Sequence, residues 1–252
     1  MKARSQSSSI PKKRSDSPNA AWTCESALAE LRRLGKKRNV EGMARFGIVA
    51  KSVYGVPKPE MDELARRIGR NHQLALELWK TGVHDARILA GMIDEPAKVT
   101  AAQMDRWVRD FDNWDVCDGT CCHLFVFAGA AWDRARQWTK RTPEFEKRAG
   151  FALLACLAYR DKTAKDARYE MMLPILLRET QDDRNFVRKA VNWALRNIGK
   201  RNIRLNRAAV QTAERMKRID SRAARWIAAD ALRELKSEAV QNRLRRKKGL
   251  MA

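Results

Sequence analysis

At 252 residues the chain is long enough for one large domain or two small ones, and size alone does not decide between them. Lys and Arg number 52 against 30 Asp and Glu, a formal charge of +22. No apolar run reaches the length of about 18 residues that a membrane span needs, and so large a cationic surplus points to a polyanionic partner, nucleic acid ahead of anionic membrane or an acidic protein.

The charge is spread along the chain. Residues 1–20 carry a net +4, residues 241–252 a net +5, and the stretch between them keeps +13. The N-terminal 20 residues are rich in Ser, Lys and Pro without periodicity, which predicts a disordered basic tail. Within it, Pro11-Lys12-Lys13-Arg14 has the form of a weak nuclear-type basic address. Residues 241–252 read as a second basic tail, and 21–240 as the folded domain.

From Trp22 onward the apolar residues follow a helical period. Gly35, Gly82 and Gly199 have the character of helix ends, and Pro57, Pro59 and Pro143 of helix starts. Thr100 with Gln103 resembles a capping box opening a helix over 101–111, after which Asp112 or Asn113 caps another that carries Trp114, Asp118, Cys121 and Phe125 on one side. Several helices share a pattern of a basic residue leading a small-residue-rich apolar stretch. The Ala-Leu-Arg runs at 194–196 and 231–233 lie 37 residues apart, and Arg148 and Lys189 lie 41 apart. Two-helix units of roughly 40 residues are the mark of HEAT or armadillo repeats. Such units stack into a curved solenoid with one concave wall. The expected fold is therefore all-α, a HEAT-like helical-repeat solenoid with a concave basic face, and a plain helical bundle is the alternative.

Five cysteines, an odd count, predict reduced thiols in a cytosolic or nuclear compartment. Cys117, Cys121, Cys122 and His123 do not have the spacing of a closed zinc site, so no metal is expected, and no nucleotide-binding loop implies a cofactor.

Trp114 and Asp118 stand four residues apart, which sets an indole beside a carboxylate on one helix surface. An acid beside an aromatic on so basic a chain has a use where a cation must be met. Trp193 differs from Trp22, Trp79, Trp107, Trp132 and Trp138, which read as core, because Arg188, Lys189 and Arg196 share its helix. An aromatic among cations suits stacking on nucleotides. The wall for a phosphate backbone is expected from Arg45, Lys51, Arg87, Arg148, Arg184, Arg188, Lys189, Arg196, Lys200, Arg201 and Arg204 as a set.

Asn113-Trp114-Asp115-Val116-Cys117-Asp118, the helix beginning Lys147-Arg148-Ala149, and the run from Phe186 to Arg196 containing Trp193 together resemble the AlkD-like DNA alkylation repair enzymes over roughly residues 25–240. These are HEAT-like-repeat alkylpurine DNA glycosylases. The resemblance implies excision of positively charged N3- and N7-alkylated purines from double-stranded DNA without base flipping. It further implies that Trp114 and Trp193 pack on the lesion nucleotide, that Asp118 stabilises the oxocarbenium-like sugar, and that Arg148 holds a phosphate. Where the family has a DNA-contacting Tyr, counting back from Gly55 gives Phe46, which packs but donates no hydrogen bond. A monomer in the cytoplasm is expected, nucleoid-associated in a bacterium or nuclear in a eukaryote. The alternative reading is a non-catalytic binder of damaged or branched DNA. A third is a scaffold for an acidic protein or RNA, which needs no acid in the groove.

Overall fold

The structure, a computed structural model, describes residues 22–249, so the expected N-terminal tail lies outside the described residues. The helices are α1 Cys24–Leu34, α2 Lys37–Met43, α3 Lys58–Ile68, α4 His72–Lys80, α5 His84–Ile93, α6 Ala101–Trp107, α7 Trp114–His123 and α8 Ala131–Trp138. They continue with α9 Glu144–Arg160, α10 Asp166–Glu170, α11 Leu173–Arg178, α12 Asn185–Gly199, α13 Ile203–Lys217, α14 Arg222–Leu235 and α15 Glu238–Gly249. Among the described residues there is no strand, and no helix is long and apolar enough to cross a membrane. The fold is a HEAT-like helical-repeat solenoid. Residues 241–249 of the basic segment read above as a tail belong to α15, where Val240 and Leu244 are buried against the body.

Local signals set the helix starts. The Asn113 side chain accepts hydrogen bonds from the backbone N–H groups of Asp115 and Val116, so α7 begins at Trp114. Thr100 caps α6 by accepting from Gln103 N, but the Gln103 side chain turns away to donate to Asp94, so the reciprocal half of the box is not made. The helix foreseen over 101–111 ends at Trp107 and tightens into a 3₁₀ turn over Val108–Asp110.

Helices α5, α7, α9, α12 and α14 pack each against the next to form the inner layer, backed by α4, α8 and α13. The central member, α9, is buried on every side from Arg148 to Ala158, which explains why its sequence is apolar all round. Gly150 permits this: a Cβ there would stand 2.6 Å from Thr139 N and 2.9 Å from Trp138 C, so the backbones of α8 and α9 meet directly. The repeat is shorter at first than its sequence spacing predicts. Helices α5, α7 and α9 start at 84, 114 and 144, 30 residues apart, and only the later units lengthen.

Of the tryptophans expected in the core, Trp79, Trp107 and Trp138 are buried there, while Trp22 and Trp132 are half-buried against it. Trp79 and Trp107 stack with ring centroids 3.8 Å apart. The indole N–H groups of Trp79, Trp132 and Trp138 each reach a carboxylate, of Asp110, Asp161 and Asp105 in turn.

The cysteines correct an expectation. Cys24, Cys117 and Cys121 are free, but Cys122 and Cys156 are joined as a disulfide with Cα atoms 5.3 Å apart. The side-by-side packing of α7 and α9 brings together sulfurs 34 residues apart in sequence, a proximity invisible in a count. Among the described residues no His, Cys, Asp or Glu group is placed to hold a metal ion.

A cross-link closing a loop of this length stabilises by about 3–4 kcal/mol. Thiol titration of the denatured, unreduced chain should find three thiols instead of five, and reduction should lower the denaturation midpoint; five thiols and an unchanged midpoint would contradict the pairing.

Candidate nucleic-acid interface

Along the inner layer, side chains of successive helices pair in a fixed register. Between α12 and α14 the pairs are Arg188 with Trp226, Asn192 with Asp230, and Arg196 with Glu234. Between α9 and α12, Arg148 donates to the Phe186 carbonyl at 2.6 Å. Between α7 and α9, Arg148 grips Asp118 through two parallel bonds, Nε to Oδ1 at 2.9 Å and Nη2 to Oδ2 at 2.6 Å.

Where these last two pairs meet, the wall opens into a cleft of about 590 Å³. It is lined by Arg45, Phe46 and Gly47 before α3, Trp114 and Asp118 on α7, Arg148 on α9, and Asn185, Phe186, Lys189 and Trp193 on α12. Trp114 stands at the first position of α7 because Asn113 caps there, and Asp118 follows one turn later. Asn185, Lys189 and Trp193 follow at steps of four on one side of α12.

The N-terminal rim is tied across the cleft. The Trp114 indole Nε1 donates to the Phe46 carbonyl at 2.8 Å, leaving the Phe46 ring 71% exposed. Gly47, at φ +73°, passes so close to the Phe186 ring that a Cβ would sit 3.0 Å from it. Phe186 in turn packs on Phe145 with centroids 5.2 Å apart.

The ion pair is the most buried charge in the cleft. Arg148 is only 6% exposed, while 19% of the Asp118 side chain still reaches solvent. Burial pushes the Asp118 carboxyl above the ordinary aspartate range, with Arg148 opposing the shift. Burial also works against the Arg148 charge, but Asp118 beside it more than compensates and holds the guanidinium firmly protonated.

The predicted residues therefore divide. Arg45, Phe46, Trp114, Asp118, Arg148, Lys189 and Trp193 converge on one cleft. Most of the remaining predicted cations lie outside the cleft lining and have partners of their own. Arg87 donates to the Asp110 carbonyl and stacks over Trp79; Arg196 and Lys200 both pair with Glu234; Arg201 donates to the carbonyls of Ala158 and Asp161 and covers Tyr169. Arg184 and Arg204 are held by Asp182 and Glu170. Arg188 stacks on Trp226 at 5.1 Å, outside the cleft lining, and donates to the cleft residue Asn185. Lys51 is exposed in the segment between α2 and α3, outside the cleft lining. Arg45, Lys51 and Lys189 have no carboxylate partner among the described residues. Phe186, Asn185 and Gly47 were missed as cleft residues. The signal for Phe186 was its place 38 residues after Arg148, the separation that also relates Arg188 to Trp226.

The comparisons with known proteins bear on the family and the fold. A family model described as "DNA alkylation repair enzyme" matches residues 27–235. The chain belongs to the DNA alkylation repair enzyme family. A solved structure described as one of "a new family of proteins related to the HEAT-like repeat DNA glycosylases with affinity for branched DNA structures" is similar, with a TM-score of 0.73 at 24% identity, covering 88% of this chain and 96% of that one. No curated protein matches the chain. In this member of the alkylation repair family, the motif residues Trp114, Asp118, Arg148 and Trp193 stand around one opening.

The Trp114–Phe46 bond holds the cleft rim, and Trp114→Phe keeps the ring while removing the N–H. Hydrogen–deuterium exchange over 44–51 should then quicken with the rest of the protein unchanged. Unaltered protection would show that the bond does not restrain the rim.

Proposed function

We propose that this protein is a DNA glycosylase that removes N3- and N7-alkylated purines from duplex DNA, working in the cleft between α7, α9 and α12. The observation that carries the reading is the presence of Asp118 in a cleft also lined by two tryptophans, held in place by Arg148. A wall that only bound phosphates has no need to leave part of a carboxylate open to the cleft.

The substrate is cationic before reaction, and charge moves to the sugar as the glycosidic bond breaks. Indole faces favour a cation by about 0.5–2 kcal/mol, more where water is excluded. Trp114 and Trp193 pack on the lesion nucleotide, and the exposed Phe46 ring packs on the strand at the rim. The base leaves without entering a separate pocket, consistent with a cleft that is open along the wall. Asp118 supplies a fixed negative charge to the oxocarbenium-like sugar and positions the attacking water; a preorganised group of this kind contributes on the order of 3 kcal/mol.

Arg148 has two tasks. It fixes the carboxylate, and with three of its five N–H groups engaged by Asp118 and Phe186 it keeps two for a backbone phosphate. A phosphate drawing on the guanidinium weakens its hold on Asp118 and so strengthens the field at the sugar. Arg45, Lys51 and Lys189 add backbone contacts.

A second reading has its own support. The similar solved structure belongs to proteins with affinity for branched DNA, and Arg148 neutralises Asp118 within the cleft. On that reading the cleft holds DNA without excision.

One comparison separates the two. Asp118→Asn should lower release of 7-methylguanine from methylated duplex by tenfold or more, while duplex affinity stays intact. Equal release by both proteins would remove the role given to Asp118, and no release by wild type would leave the branched-DNA reading.

A further inference from the structure

A second group of side chains, outside the cleft, combines exposure, aromaticity and positive charge. Phe127, in the turn after α7, is 51% exposed, and Tyr159, near the end of α9, is 62% exposed. The Arg160 guanidinium lies 5.9 Å from the Phe127 ring centroid and 5.3 Å from that of Tyr159, and the Lys162 ammonium is 5.3 Å from the same Tyr159 ring. Lys165 and Arg168 follow, both exposed.

The acids interleaved with these cations are engaged elsewhere. Asp161 accepts from Trp132 Nε1 and from the backbone N–H groups of Thr163 and Ala164. Asp166 accepts from the Asn202 side chain, and Glu170 pairs with Arg204. The patch therefore presents cations and rings together.

Its geometry is enforced from below. Phe127 and Tyr159 come from different repeat units, and the Cys122–Cys156 disulfide joins those units just ahead of both residues. A cross-link at this place holds two rings and a guanidinium in one cluster. The helical period returns Tyr159 to the side of α9 that carries Arg148, about 16 Å further along the axis. The patch thus lies within reach of a DNA molecule seated in the cleft.

We propose that Phe127, Tyr159 and Arg160 form a second DNA-binding site that stacks unpaired nucleobases. The proposal rests on the cleft's taking duplex DNA, as inferred above. Rings and a guanidinium plane stack on any base, whereas a paired base keeps its faces inside the duplex and offers only its edges. The neighbouring Lys162, Lys165 and Arg168 suit the backbone of the same strand. The site would take a single-stranded extension or the open bases of a branch.

Fluorescence anisotropy on a blunt duplex, and on the same duplex with a single-stranded extension of about ten nucleotides, tests this. Wild type should bind the extended DNA more tightly. The double variant Phe127→Ala, Tyr159→Ala should lose roughly tenfold affinity for the extended DNA and none for the blunt duplex, with base release from methylated duplex unchanged. Circular dichroism melts should coincide, since both rings are on the surface, and Arg160→Ala, which leaves the rings in place, should repeat the loss in smaller degree. Equal affinity of wild type for the two DNAs, a double variant that keeps the preference, or equal losses on both DNAs would each overturn the proposal. Loss of polyglutamate binding with DNA binding unchanged would overturn it in favour of an acidic protein partner. Failure of wild type to bind either DNA would instead overturn the reading of the cleft.

Discussion

The bidentate pair between Asp118 and Arg148 is the interaction on which the arrangement of the cleft depends. It joins α7 to α9, and through the Phe186 carbonyl the same guanidinium joins α9 to α12. Burying two charges is costly, and a pair of this kind is worth little to stability beside well-packed apolar side chains. The pair stands in the cleft lining with part of the carboxylate still open to solvent, and the proposed chemistry gives that placement a use. The aromatic residues around it follow from the same register: the Asn113 cap sets Trp114 one turn before Asp118, and Trp193 and Lys189 share the side of α12 that borders the opening.

The basic character of the chain divides in a similar way. Much of the positive charge on the inner layer serves assembly. Glu234 takes both Arg196 and Lys200, and Arg201 satisfies carbonyls at the end of α9. Such partly buried pairs fix the orientation of one repeat on the next while giving little net energy. The cations left without a carboxylate at the cleft among the described residues, Arg45 and Lys189, are few, so on the proposed reading recognition there leans on aromatic surface as much as on phosphate contacts.

The helix boundaries were legible in the sequence where the determinant is local. Asn113 and Thr100 cap their helices through groups two or three residues away, and Pro143 opens α9. The members of the cleft were largely legible too, because Trp114, Asp118, Arg148 and Trp193 lie in recognisable runs. What could not be read was pairing across repeats. That Arg148 grips Asp118, that Arg196 is occupied by Glu234, and that Cys122 meets Cys156 all depend on the packing register of helices 30 or more residues apart. The C-terminal segment misled for a different reason. Its charges dominate its composition, while Val240 and Leu244, only two apolar residues, are enough to seat α15.

Whether the ion pair exists for chemistry or for assembly is open to one direct measurement. Replace both partners together, Asp118→Leu with Arg148→Met, and determine the unfolding free energy and the release of methylated purines on the same preparation. An apolar substitute for a buried pair is often neutral to folding. The account predicts stability within about 1 kcal/mol of wild type and loss of base release. Release continuing at the wild-type rate in the double variant would contradict it.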